Sequence, residues 1–194
     1  MQIERAVFGV YTLGPGIRLG VWVNGCKRRC KGCVSQRLQA FDPRNEVDIE
    51  EYFDGFDLTM ADGVTVSGGE PFEQPEELYR LVGYFRKRGI HDILIYTGYT
   101  IEELRAKNNA DINGTLELID VLIDGPYMIE QDSGKGNLKG SDNQRVLFLN
   151  GDLREKYAAF YRDEREMQEF YLGNTVLAVG IPDAEYIKNF ERNE

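Results

Sequence analysis

A chain of 194 residues, 42% of them hydrophobic, is long enough for one domain that buries roughly 70% of its unfolded surface. Its formal charge of −10 argues against a general binder of phosphate backbones, so no nucleic-acid partner is expected. No stretch approaches the ~20 apolar residues of a membrane span, and no basic flank precedes an apolar run at the N-terminus. A cytoplasmic chain without a membrane partner is therefore the expectation.

The elements follow in order. "RLGVWVNG" (18–25) is a β-branched, apolar run that enters a loop holding every cysteine of the chain, Cys26, Cys30 and Cys33. "GVTVSGGEP" (63–71) is a second strand ending in paired glycines, and "PEELYRLVGYFRKRG" (75–89) follows as a helix. Leu78, Leu81, Val82 and Phe85 give that helix its apolar face, and Gly89 stops it. "DILIYTGY" (92–99) is a strand, "TIEELRAK" (100–107) a helix and "IDVLIDGPY" (119–127) another strand. "QRVLFLNG" (144–151) and "NTVLAVGIP" (174–182) read as strands around a helix near 152–171, and "DAEYIKNF" (183–190) as a short closing helix. Apolar strands alternating with amphipathic helices predict an α/β fold with a parallel sheet of about four to six units, fewer than a closed barrel. Chemistry in such folds gathers at the carboxyl ends of the strands. Here those ends carry the cysteine loop, "SGGEP", "YTGY" and "DGPY".

Three cysteines cannot all pair, and the single His91 excludes a multi-histidine metal site. The i, i+4, i+7 spacing of the cysteines allows a small-residue helix stripe, but Gly25, Gly32 and four interleaved cations (Lys27, Arg28, Arg29, Lys31) oppose one. A structural zinc would need a fourth ligand, which only His91 could complete among the residues that zinc sites usually pair with cysteine. An iron–sulfur cluster held by three thiolates would leave one iron open to a reactant. The cations would favour its reduced state: one charge at about 10 Å and an effective dielectric of about 20 is worth roughly 1.7 kcal/mol, before screening.

The other loops carry further candidates, each with a plain alternative. Gly68 and Gly69 let backbone approach a ligand, and Glu70 can accept from an ammonium group; a tight turn with a solvated Glu70 is the competing reading. Thr97 offers a hydroxyl beside Gly98, while Tyr96 and Tyr99 serve either packing or stacking on the ring of a bound ligand. Asp124 inside an apolar strand needs a partner, whether a cofactor, an associated cation or a neighbouring loop. Ser141, Asn143 and Arg145 precede a strand, and Arg145 suits either a ligand carboxylate or one of the chain's own acids. His91 reads as a surface loop residue.

With C-x₃-C-x₂-C after one strand and "SGGEP" after the next, the chain resembles the radical S-adenosylmethionine enzymes. "GPGIRLGVWVNGCKRRCKGC", "VSGGEPFEQPEEL", "ILIYTGYTIEEL", "VLIDGPY" and "GSDNQRV" together resemble the branch that activates glycyl-radical enzymes. The resemblance implies a partial (β/α)₆ barrel in one domain spanning 1–194, with a core at 14–149 and a helix–strand–helix extension at 150–194. It implies a [4Fe–4S] cluster on Cys26, Cys30 and Cys33 and S-adenosylmethionine on the open iron. Gly68, Gly69, Glu70, Thr97, Asp124, Asn143 and Arg145 would be its contacts. The implied activity is reductive cleavage to a 5′-deoxyadenosyl radical that generates a glycyl radical on a partner, an anaerobic ribonucleotide reductase. An acidic electron donor such as a flavodoxin would suit the basic loop. A radical enzyme acting on a small molecule or peptide, and a non-catalytic metal-bound module, are the alternatives. One departure stands out: where the branch usually has His-Asn after the third cysteine, this chain has Val34 and Ser35.

Overall fold

The computed structural model describes residues 1–173 and 175–191. Strands β1 (Ile3–Val10), β2 (Arg18–Val23), β3 (Gly63–Gly68), β4 (Ile93–Tyr96), β5 (Val121–Asp124) and β6 (Arg145–Phe148) form one sheet in sequence order. The inner pairs β2–β3, β3–β4 and β4–β5 are parallel, as the strand–helix alternation predicts. The two outer pairs, β1–β2 and β5–β6, are antiparallel, which corrects the expectation of a wholly parallel sheet. The sheet is thus mixed and mostly parallel.

Helices α1 (Ile49–Phe53), α2 (Pro75–Lys87), α3 (Ile101–Ala106) and α4 (Ala110–Leu118) supply the connections between the inner strands. In α2, Pro75 opens the helix, Glu76 and Glu77 occupy its first turn, and Arg86 and Lys87 its last, each charge complementing the local end of the helix dipole. A capping box between Thr100 and Glu103 starts α3. Leu78, Leu81, Val82 and Phe85 of α2 join Ile49 and Phe53 of α1 and Ile112 and Leu116 of α4. Together they cover Leu19, Val21, Val64, Val66, Ile93, Ile95 and Leu122 on one face of the sheet.

The last quarter of the chain covers the other face. The single helix expected near 152–171 is instead α5 (Arg154–Phe160) followed by β7 (Met167–Leu172). Strand β7 pairs antiparallel with β8 (Thr175–Gly180), and α6 (Ala184–Glu191) closes the described chain. Asn174, the first residue of the strand expected at 174–182, and residues 192–194 lie outside the described residues. The extension is therefore helix, hairpin and helix. Tyr157, Leu153 and Phe160 of the α5 region pack on Leu94, Val121 and Ile123. Phe170, Leu177 and Val179 of the hairpin pack on Val10, Trp22 and Tyr96.

At the amino-terminal ends of the parallel strands, Arg18 is wholly buried. It donates to Thr65 Oγ1 at 2.7 Å, to the Val64 carbonyl at 2.9 Å and to Asp92 Oδ1 at 3.0 Å. Tyr157 and Lys156 of α5 donate to the same Asp92 carboxylate, both at 2.7 Å. Burial alone would raise the Asp92 pKa, but Arg18 and these two donors outweigh it and hold the carboxyl below its ordinary value. This network fastens the extension to the floor of the sheet. Among the described residues no helix is long and apolar enough to cross a membrane.

Candidate iron–sulfur centre

Parallel pairing of β2 to β5 brings the cysteine loop, "SGGEP", "YTGY" and "DGPY" to one rim, and the antiparallel β6 returns Arg145 to the same rim. Val23, the last residue of β2, pairs with Gly68, the last of β3, so the two loops leave the sheet side by side. Gly69 N–H donates to the Val23 carbonyl at 2.7 Å, and Glu70 N–H to the Gly25 carbonyl at 2.8 Å. A Cβ on Gly68 would stand 2.5 Å from Val23 backbone atoms, and one on Gly69 would stand 2.4 Å from the Gly25 oxygen. The paired glycines expected to admit a ligand thus admit the neighbouring loop's backbone.

Cys26, Cys30 and Cys33 are all free and partly exposed. Gly25 and Gly32 bracket this loop with φ of 89° and 74°, and Arg29 between them also has positive φ, at 53°. Among the described residues no three His, Cys, Asp or Glu side chains converge as a ready-made metal cage. The thiols share a loop and a rim but not a common centre. Burial pushes the Cys26 thiol up, while the Arg28 and Arg29 amides bonded to it favour the thiolate. Three free thiols, amides directed at sulfur and a basic loop fit an iron–sulfur group by donor chemistry.

Of the loop cations Arg28 turns inward, while Lys27 stays exposed and reaches a buried acid. Lys27 Nζ lies 2.7 Å from Glu73 Oε2, and Tyr99 O–H donates to Glu73 Oε1 at 2.6 Å. The Arg28 guanidinium lies 4.7 Å from the centre of the Tyr99 ring, with its Nε buried and without a hydrogen bond. Arg29 donates to Gln39 Oε1 at 2.9 Å. Tyr99 therefore packs against a residue of the cysteine loop. Val34, in place of the expected histidine, is 64% exposed.

The remaining candidates are already engaged with one another. Glu70 is 1% exposed, not solvated. Its Oε1 accepts from Phe72 N–H (3.0 Å) and Thr97 O–H (2.8 Å), and its Oε2 from Gly98 N–H (2.7 Å). Burial nonetheless lifts its pKa to about 7, ahead of the lowering by these three donors and by Arg28. Thr97 Oγ1 also accepts from Tyr99 N–H at 3.1 Å. Asp124 is fully buried opposite Arg145 in the β5–β6 register. It accepts from Arg145 Nε at 2.9 Å and from Ile101 N–H, the first amide of α3, at 2.8 Å. Arg145 Nη2 also reaches Glu102 Oε2 at 2.7 Å. Both residues take the neighbouring-residue alternative that their sequence context allowed, because the antiparallel β6 delivers the arginine directly across from the acid.

Asn143 differs from these. Its Nδ2 donates to the Pro126 carbonyl at 2.7 Å, while its Oδ1 is buried without a partner. Ser141 accepts from Met128 N–H at 3.1 Å, and Gln144 donates to the Gly125 carbonyl at 3.1 Å, so "GSDNQ" laces the "DGPY" loop in place. The sequence reading passed over Arg18, whose signal was a charged residue opening an otherwise apolar strand. It also passed over Arg165, discussed below. A cleft of about 590 Å³ is lined by Arg86, His91, Asp120 and Asn150 near the amino ends of β4 and β5, away from the cysteines.

A family model described as a 4Fe–4S single cluster domain matches residues 12–147, which include all three cysteines. The chain is 31% identical over 155 residues to the anaerobic ribonucleoside-triphosphate reductase-activating protein of Enterobacteria phage T4, covering 75% of this chain and 93% of that one. It is 34% identical over 146 residues to the protein of the same name from Pasteurella multocida, covering 69% and 88%. The Escherichia coli K12 protein of that name is 29% identical over 144 residues, covering 70% and 91%. The sulfur-bearing loop on the rim of a mostly parallel sheet, the 4Fe–4S domain around it and these relatives agree: the chain belongs to the family of anaerobic ribonucleoside-triphosphate reductase-activating proteins.

Proposed function

We propose that this chain is a cytoplasmic radical S-adenosylmethionine activase that installs a glycyl radical on an anaerobic ribonucleoside-triphosphate reductase. The observation that carries the proposal is the contact of the three-thiol loop with "SGGEP" through Gly69 and Glu70, inside a 4Fe–4S domain shared with activating proteins. Cys26, Cys30 and Cys33 would hold a [4Fe–4S] cluster, with the sheet read as the partial barrel of radical S-adenosylmethionine enzymes and the extension as part of the same domain. With S-adenosylmethionine bound, such a cluster supplies one electron for cleavage to methionine and a 5′-deoxyadenosyl radical, which takes hydrogen from a glycine of the partner.

The chain's own residues position and shield. Glu70, through Thr97 and Gly98, couples the "SGGEP" and "YTGY" turns into one wall. Asp124 and Arg145 hold the start of α3 against the ends of β5 and β6, and the open acceptor of Asn143 faces no protein donor. Gly68, Gly69, Glu70, Thr97, Asp124 and Arg145 thus serve the cofactor by shaping its wall, while Asn143 keeps an atom for direct contact. The exposed Arg29 and Lys31 suit an acidic electron donor such as a flavodoxin.

Anaerobic reconstitution followed by incubation with S-adenosylmethionine, a strong reductant and an anaerobic ribonucleotide reductase tests the proposal. A glycyl-radical spectrum on the reductase and release of 5′-deoxyadenosine are expected. About one zinc per chain with no iron or sulfide would sink the cluster assignment. Cleavage that modifies a small molecule and leaves the reductase silent would sink the partner. A Cys30→Ala chain is expected to lose the intact cluster.

A further inference from the structure

Residue 165 lies beyond the matched 4Fe–4S domain, between α5 and β7, yet its side chain is linked to the cysteine loop through Asp132 and Tyr127. Arg165 is 2% exposed at its side chain. Its Nη2 donates to Asp132 Oδ1 at 2.8 Å and to the Lys139 and Gly140 carbonyls at 3.1 Å each, while Nη1 donates to the Pro182 carbonyl at 2.9 Å. A planar fork that collects the Asp132 carboxylate at one end of a loop and the Lys139 and Gly140 carbonyls at the other is a clamp that lysine could not reproduce.

The clamped loop leads back to the thiols. Asp132 accepts from Tyr127 O–H through its other oxygen, at 3.0 Å. The Tyr127 ring and the Ile129 side chain lie on the cysteine loop: a Cβ on Gly32 would stand 3.5 Å from Tyr127 Cε1 and 2.8 Å from Ile129 Cδ1. Gly32 is the residue before Cys33. The chain of contact is therefore Arg165 to Asp132, Asp132 to Tyr127, and Tyr127 with Ile129 to the Gly32–Cys33 peptide.

We propose that Arg165 is a positioning residue for the cluster loop, clamping the 127–140 segment so that Tyr127 and Ile129 buttress Gly32 from one side and fix Cys33. The C-terminal extension thereby sets the shielding of one cluster ligand from outside the 4Fe–4S domain. The inference rests on the reading of Cys33 as a ligand, and its test separates the two.

Full-length chains carrying Arg165→Met, Asp132→Asn, or Tyr157→Phe as a stability control are compared with the wild type. In metal-free protein, iodoacetamide labelling read by peptide mass spectrometry gives the ratio of Cys33 to Cys26 modification. That ratio is expected to rise about ten-fold with Arg165→Met and several-fold with Asp132→Asn, through local opening of one loop. It should stay at the wild-type value with Tyr157→Phe, whose lost contact lies on the opposite rim. After anaerobic reconstitution, the same two variants should release iron to a chelator faster than wild type and the control. An unchanged labelling ratio in both clamp variants overturns the proposal, as does an equal rise in the control. A wild-type chain that takes up no iron defeats the cluster reading instead, while the labelling ratio still decides the clamp. Should Arg165→Met not fold, Asp132→Asn, at a partly exposed position, decides it alone.

Discussion

Replacing Glu70 by glutamine isolates a buried charge whose state is decided by two opposed effects. Burial favours the neutral acid; hydrogen bonds from Phe72 N–H, Thr97 O–H and Gly98 N–H favour the anion. Burial prevails, and the pKa rises from 4.5 to about 7. The folded chain therefore binds more protons than the unfolded chain between these values, and stability falls as pH rises through that window. At about 1.4 kcal/mol per pH unit the whole interval corresponds to about 3 kcal/mol, of which about 2 kcal/mol is lost between pH 5.5 and 8. Urea unfolding of metal-free wild type and Glu70→Gln at both pH values measures it, since all other titrating groups are common to the two chains. The wild type is expected to lose about 2 kcal/mol relative to the variant on going from pH 5.5 to 8. A difference that stays constant would mean that the three donors keep the carboxylate ionised throughout, and the ranking of burial above hydrogen bonding would be wrong.

Two further substitutions probe the same rim. Gly69→Ala places a methyl 2.4 Å from the Gly25 oxygen, a backbone atom with no freedom to retreat. It should cost about 1–3 kcal/mol in urea unfolding and lower the iron bound per chain after reconstitution, and full stability with full iron would refute the close-approach argument. Asp124→Ala removes a fully buried acid from Arg145 and from the first amide of α3. Because Arg145 is 43% exposed at its side chain and keeps Glu102, the loss should sit near the low end of a broken buried pair, about 3 kcal/mol. A loss under about 1 kcal/mol would show that the pair is dispensable.

The inner strands were readable because "GVTV", "ILIY" and "VLID" are mostly apolar runs, as strands buried on both faces tend to be. The cysteine rim followed from parallel pairing alone. The outer strands were harder. β1, "IERAVFGV", mixes charge with apolar residues because it is an edge, and nothing local reports that β6 runs antiparallel. The segment "MQEFYL" pairs as β7 because the Gly173 turn presents it to β8, a choice made by tertiary contact over local preference. α1 was legible but unread: Asp48 caps the Glu51 amide three residues on, ahead of Ile49 and Phe53 on one face. At the site, residue types pointed to the right loops, but the assignment of partners did not follow. Asp124 with Arg145, and Glu70 with Thr97, are pairings fixed by register and loop packing, which no spacing in the chain encodes.

The extension that lies over Leu94, Tyr96 and Trp22 also sets an order of events during synthesis. Every strand of the main sheet has been made by residue 148, yet the face that Tyr157, Phe170 and Val179 will cover is still bare. At ribosomal rates of about 5–20 residues per second, the covering segment takes a few seconds more to emerge. Over that interval the nascent chain presents an apolar surface and an Arg18–Asp92 pair still without its donors Lys156 and Tyr157. Chains interrupted after β6 should therefore accumulate in chaperone complexes or inclusion bodies, whereas complete chains escape both. On this ordering the segment from Leu153 to Val179 covers that face last.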